Sequence, residues 1–119
     1  MREKQIEQQL CHAAREQGGI AMKLASPSFA GLPDRMVLLP GGHIGFVEVK
    51  APGKKPRVLQ LMRLEFLSRL GFKVYVLDRP EKIPAVIRSI RDPRPQYHPE
   101  RCGGSSSEQA PGSRKGECP

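Results

Sequence analysis

The stretch Gly31-Leu32-Pro33-Asp34-Arg35-Met36-Val37-Leu38-Leu39-Pro40-Gly41-Gly42-His43-Ile44-Gly45-Phe46-Val47-Glu48-Val49-Lys50 decides how this chain is read. Two apolar runs flank Pro40-Gly41-Gly42, which predicts a hairpin of two strands, Asp34–Leu39 and His43–Lys50. Side chains at i and i+2 of a strand share a face, so Glu48 and Lys50 point the same way. If Pro40, Gly41 and Gly42 together form the loop, Asp34 pairs directly opposite Glu48, with Cβ atoms roughly 4.5–5.5 Å apart. A two-residue loop would instead set Asp34 against Val49, on the wrong face. Facing carboxylates repel unless a cation lies between them. A divalent metal held by both, with a lysine beside it, answers that need.

Working outward, residues 3–17 predict an amphipathic helix closed by Gly18-Gly19, and Ile20–Leu24 a short strand. Residues 25–33 form a loop whose two prolines exclude helix. After a second turn-rich loop, residues 51–56, Arg57–Leu70 predicts a helix with Gly71 as its C-terminal cap. Lys73–Leu77 is a strand and Ile83–Arg91 a final helix. The order helix-strand-strand-strand-helix-strand-helix implies a mixed sheet. Its first three strands form an antiparallel meander, and the helix 57–70 carries the chain back so that the last strand runs parallel to the third. Both faces of the two central strands are apolar away from their ends, as a sheet covered on both sides requires. The fold class is α/β, an α/β/α sandwich.

The 119 residues suffice for one domain with a modest core, assigned to 1–92. From residue 93 onward Pro, Gly and Ser recur at short intervals, and 93–119 reads as a disordered low-complexity tail. Net charge is +8, and residues 1–91 carry all of it, with sixteen Lys/Arg against eight Asp/Glu. A basic domain suits a polyanionic partner. No apolar run approaches the ~20 residues that span a bilayer, and no membrane partner is expected. Three cysteines, two of them in the tail, form no disulfide framework or closed zinc site, so a reducing cytoplasm is the expected compartment.

The first helix adds acids. Glu3, Glu7, Leu10 and Ala14 fall in one stripe beside Ile6 and Ala13. A carboxylate on an apolar stripe is costly unless paired or metal-bound. Glu7, a turn further from the fraying end, is preferred to Glu3 as a further ligand or water-positioning group; Glu3 is explained as a first-turn acid favouring the helix N-terminus. His12 reads as a surface residue, His43 as a turn residue and Cys11 as a small core hydrophobe.

Glu7, the run Gly31-Leu32-Pro33-Asp34, the run Phe46-Val47-Glu48-Val49-Lys50, Gln60 and the strand Gly71-Phe72-Lys73-Val74-Tyr75-Val76 stand in an order that resembles the VRR-NUC (virus-type replication-repair nuclease) family of the PD-(D/E)XK superfamily. The resemblance spans residues 3 to about 90 and implies a restriction-endonuclease-like fold and a metal-dependent deoxyribonuclease. It implies that Asp34 and Glu48 bind Mg²⁺ or Mn²⁺, with the Val49 backbone carbonyl as a further ligand, since hard cations take oxygen donors. Lys50 would orient or help deprotonate the attacking water, Glu7 would complete the acidic shell, and Gln60 would support the site from its helix. Lys23, Lys54, Lys55 and Arg57 flank the site as candidate phosphate contacts. Stand-alone members of the family imply a homodimer acting on branched DNA, such as Holliday junctions or flaps. The final strand and helix, Lys73 to Arg91, are the candidate interface, as a sheet edge needing cover. The competing reading is a non-catalytic DNA-binding module on the same fold, against which the complete Asp34, Glu48, Lys50 set argues.

Overall fold

The computed structural model describes residues 2–96. The elements are α1 (Glu3–Glu16), β1 (Ile20–Lys23), β2 (Arg35–Leu39), β3 (His43–Val49), α2 (Val58–Arg69), β4 (Lys73–Leu77) and α3 (Ile83–Arg91), the last entered through a 3-10 turn at Pro80–Lys82. One four-stranded sheet has the order β1-β2-β3-β4. β1 and β3 flank β2 antiparallel, and β4 joins β3 parallel, as the meander and crossover require. Arg35 pairs with Val47 and Leu39 with His43, so the hairpin loop is Pro40-Gly41-Gly42. Both glycines adopt positive φ, 94° and 80°, which a side chain would resist.

The alternation of β2 and β3 divides the sheet into unequal faces. Val37, Leu39, Val47, Val49 and Leu77 point to one side and join Ile6, Leu10 and Ala14 of α1 and Ile83, Val86, Ile87 and Ile90 of α3 in a single buried cluster. Gly45 in β3 is there because a Cβ would stand 2.6 Å from Ile90 Cγ1. The reverse face is covered by α2, and its residues Met36, Leu38, Ile44 and Phe46 are only half-buried. The two faces are apolar alike in sequence but not equally covered. The reason lies in α2, which buries only Leu64 and Ser68. Its outer side leaves Val58 at 74%, Met62 at 58% and Phe66 at 48% exposure. A buried aliphatic side chain contributes roughly 1.5–3 kcal/mol, so α2 is the helix least anchored by its own core contacts.

Element ends differ from the sequence reading by a residue or so. Asp34 lies just before β2 and Lys50 just after β3, so both charged side chains stand at the end of the sheet instead of within it. Cys11 packs against the core cluster, His12 is exposed and pairs with Glu16 one turn on, and His43 is half-buried at the start of β3.

β4 is an edge strand, and the chain itself covers part of that edge. The Gln96 side-chain amide donates to the Val74 carbonyl and accepts from the Val74 N–H, both at 3.0 Å, in the manner of one rung of an added strand. Lys73 Nζ reaches back to the carbonyls of Ser89 and Asp92 at the end of α3. Gln96 therefore lies against the domain, while Pro93, Arg94 and Pro95 before it are exposed; the rest of the expected disordered tail, 97–119, lies outside the described residues. Gln96→Ala is expected to cost about 1 kcal/mol, the net worth of such hydrogen bonds, read from the midpoint of urea unfolding. An unchanged midpoint, with an unchanged exchange rate for the Val74 amide, would show that the rung contributes nothing.

Candidate active site

Four of the residues singled out by the sequence meet at the end of β2 and β3. Continuing the β2–β3 register by one pair past Arg35 and Val47 sets Asp34 opposite Glu48. Asp34 Oδ2 accepts the Val49 N–H at 2.9 Å, and its backbone carbonyl accepts the Leu24 N–H at 3.0 Å. Both ends of this residue are thus tied to neighbouring strands. Glu48 is 1% exposed. Its Oε2 lies 3.1 Å from Lys50 Nζ, the contact that the i, i+2 spacing predicts.

Gln60 supplies the other half of that clamp. Its Oε1 accepts the Arg57 N–H at 2.9 Å, satisfying one of the orphan donors at the start of α2. With the amide oxygen so engaged, the Nε2 group is left to point at the sheet, where it donates to Glu48 Oε2 at 2.8 Å. One side chain therefore caps the helix and holds the carboxylate.

Glu48 Oε1 is different: it is buried and has no hydrogen-bond partner among the described residues. Burial pushes the Glu48 carboxyl above the ordinary glutamate range; the hydrogen bond from Lys50 opposes this, and the nearby charges of Asp34 and Glu3 add to it. A desolvated carboxylate with one bare oxygen beside a second carboxylate is a poor arrangement for an empty protein and a good one for a cation. Among the described residues no three His, Cys, Asp or Glu side chains cluster as a ready-made metal cage. Two carboxylates with a main-chain carbonyl form a sparse hard-oxygen set, which fits an ion such as Mg²⁺ that retains several waters. The residues present fit the group.

Glu7 stands apart from this arrangement. Its Oε2 accepts from Arg35 Nε at 2.7 Å and lies 3.7 Å from Lys23 Nζ. Arg35 is also tied to the Ala21 carbonyl at 3.0 Å, so the ion pair joins α1 to β1 and β2. The α1 acid whose charge is felt at Glu48 is Glu3. Lys54, Lys55 and Arg57 are exposed on the loop leading into α2, and Lys23 is exposed at the end of β1.

Sequence reasoning missed how α2 holds the loop before Asp34. Arg63 donates through Nε to the Ala30 carbonyl at 2.8 Å and lies over the Phe29 ring at 3.9 Å from its centroid. Arg63 follows Gln60 by three residues and so shares its side of the helix, but that spacing alone does not say which loop it meets.

A solved structure described as a VRR_NUC domain superposes with a TM-score of 0.68 at 30% identity, covering 72% of this chain and 94% of that one. A curated protein of Acyrthosiphon pisum secondary endosymbiont phage 1, "Putative nuclease p44", is 48% identical over 89 residues, 72% of this chain and 96% of its own length. The chain belongs to the VRR-NUC nuclease family. No family model matches it. The sheet order and helix placement are those of the restriction-endonuclease-like α/β fold of VRR-NUC domains. No helix among the described residues of this VRR-NUC domain is long and apolar enough to cross a membrane.

The Glu48 carboxyl leads to a test on the metal-free protein. Its folded-state pKa is raised above the unfolded value of about 4.5, so the native state binds this proton more tightly than the unfolded chain. Its stabilising contribution is full below the unfolded value and is lost as pH rises through the folded one. In EDTA, the stability difference between Glu48→Gln and wild type should therefore grow in favour of the variant as pH rises from the acid side toward neutral. Adding Mn²⁺ at neutral pH should raise the melting temperature of wild type and leave that of the variant in place. Parallel stability–pH curves from denaturant titrations would show that Glu48 is not strained by burial.

Proposed function

We propose that this VRR-NUC domain is a metal-dependent endonuclease that hydrolyses phosphodiester bonds of branched DNA. The observation that carries the reading is Glu48, buried, with Oε2 held by Gln60 and Lys50 and Oε1 bare beside Asp34. Asp34 and Glu48, with the Val49 carbonyl, would hold Mg²⁺ or Mn²⁺. When bound, such an ion polarises a phosphoryl oxygen and lowers the pKa of a coordinated water.

The chain's own residues have separate tasks in this reading. Gln60 fixes the Glu48 carboxylate so that its bare oxygen faces the site. Lys50 neutralises the phosphate, orients the attacking water and takes part in its deprotonation. Its position against Glu48 keeps it at the reacting centre, with only 16% of its side chain exposed. Of the α1 acids, Glu3 supplies negative potential at Glu48, while Glu7 is engaged by Arg35 and Lys23. Lys54, Lys55, Arg57 and Lys23 would contact phosphates along the backbone, supported by their exposure and by the net charge of +8. The "nuclease" in the phage relative's description supports the same chemistry.

A second copy is the partner that the α2 surface fits. Val58, Met62 and Phe66 recur at i, i+4 on its outer side, with Leu61 49% and Leu70 57% exposed beside them. A contiguous apolar surface of this kind marks an interaction site. Both signs of charge flank it, in Glu65 and Arg69, which lie 3.4 Å apart. A two-fold axis across α2 would oppose those charges between copies, as an isologous interface requires. Two sites at a fixed separation would then permit paired cuts in a symmetric junction. The exposed apolar row favours an interface on α2 over one on Lys73–Arg91, where Gln96 covers part of the edge.

The test is cleavage of a panel of duplex, flap and four-way-junction DNAs with Mg²⁺ or Mn²⁺. Wild type should cut branched substrates, and Asp34→Ala and Glu48→Ala should each abolish cutting without loss of fold. Lys50→Ala should slow cleavage far more than it weakens binding. Joint Lys54→Ala and Lys55→Ala should instead flatten the salt dependence of binding by up to about 0.9 per lost phosphate contact on duplex DNA. Binding without metal-dependent cleavage by wild type would favour the non-catalytic module. For assembly, light scattering should report a dimer that Met62→Glu converts to monomer; a wild-type monomer at working concentration would sink the two-fold arrangement.

A further inference from the structure

We propose that Arg63 is a positioning residue for Asp34, acting through the Phe29–Pro33 loop; this rests on the reading that Asp34 and Glu48 hold a divalent cation.

The observations form one continuous path. Arg63 Nε donates to the Ala30 carbonyl at 2.8 Å, and the guanidinium carbon lies over the exposed Phe29 ring, 3.9 Å from the centroid. Gly31 follows with φ of +85°, and a Cβ there would stand 2.7 Å from Leu59 Cγ and 3.2 Å from Arg63 Cγ. The loop therefore lies directly on α2 at a point where only glycine fits. Pro33 is fully buried, its φ restricted by its ring. Asp34 comes next, its carbonyl and Oδ2 committed to the Leu24 and Val49 N–H groups. Little rotational freedom remains between the Arg63 contact and the carboxylate.

This gives the Gly-Leu-Pro-Asp run a mechanical meaning. The glycine admits α2, the proline stiffens the exit, and Arg63 closes the far end. The same helix face holds Glu48 through Gln60, one turn earlier. α2 thus sets the separation of the two carboxylates from both sides. Arg63 commits its Nε and one side of its guanidinium to the loop. An arginine suits this place better than a lysine, which can donate to the carbonyl but cannot stack its head group in the same plane.

The experiment uses the full chain without DNA. Mn²⁺ binding is measured by calorimetry for wild type, Glu48→Gln, Arg63→Ala, Arg63→Lys, Asp34→Ala and the Arg63→Ala/Asp34→Ala pair, with hydrogen exchange followed at the Val49 amide. Arg63→Ala should weaken Mn²⁺ binding about ten-fold, the usual scale for losing an outer-shell support. Arg63→Lys should recover part of that loss. In the Asp34→Ala background, removing Arg63 should bring no further weakening, since the two act in series. The Val49 amide should exchange faster in Arg63→Ala than in wild type. If Arg63→Ala does not fold, Phe29→Leu, a change at an exposed residue, should shift binding and exchange in the same direction by a smaller factor.

Wild-type Mn²⁺ affinity together with wild-type Val49 exchange in Arg63→Ala overturns the proposal. So does an equal loss of affinity in the presence and absence of Asp34, or an effect seen only in DNA affinity. If wild type binds no Mn²⁺, or Glu48→Gln binds it equally well, the metal reading fails instead, and Val49 exchange alone then decides whether Arg63 holds Asp34.

Discussion

The buried carboxylate of Glu48 is the constraint around which the rest of this small domain is arranged. An ionised group at 1% exposure is costly, and the chain offsets that cost only in part. Lys50 and Gln60 attend to one oxygen, while the other is left bare and Asp34 adds repulsion. A protein selected for stability alone would place an apolar residue or a complete ion pair at this point of β3. Local strain concentrated at one spot in an otherwise well-packed sheet is the mark of a functional position. The opposite face makes the contrast plain, since Val47 and Val49 on either side of Glu48 lie in a fully buried apolar cluster.

The domain divides its labour between its two layers. α1 and α3 seal one face of the sheet and supply nearly all of the core, so the strands that carry Asp34 and Glu48 rest on a rigid backing. α2, with few buried residues of its own, is instead committed to the site and to the surface. Gln60 holds Glu48, and Leu59 and Arg63 receive the loop before Asp34. Outward, the same helix presents Val58, Met62 and Phe66. A helix engaged by the site on one side and apolar on the other is one whose stability and whose partner are linked.

Much of this was legible in the residues. Strand periodicity with Pro40-Gly41-Gly42 leads to the hairpin and its register, and the register in turn sets Asp34 against Glu48. The spacing of Glu48 and Lys50 leads to their contact. The family resemblance added Gln60, whose role became physical only when its amide was seen to bridge Arg57 and Glu48. The stripe on α1 was correct as a stripe, with Ile6, Leu10 and Ala14 buried, yet it did not say which acid serves what. Glu7 is drawn to Arg35 because β2 brings that guanidinium beneath it, and Glu3 is the one whose field reaches Glu48.

The sequence by itself determined the local and periodic features: which residues alternate, where the chain turns, and which charges share a strand face. These depend on dihedral preference and side-chain period, and both are properties of neighbours along the chain. What α2 does was decided only by tertiary structure. Apolar on nearly all sides, its residues do not say which side meets the sheet, so neither the exposed Val58–Met62–Phe66 row nor the Arg63 contact with Phe29 and Ala30 follows from its pattern. The Gln96 rung on β4 is of the same kind, joining residues 22 apart that no local rule connects. Such contacts are set by how layers dock once the core has formed, because the docking energy is summed over surfaces drawn from distant parts of the chain.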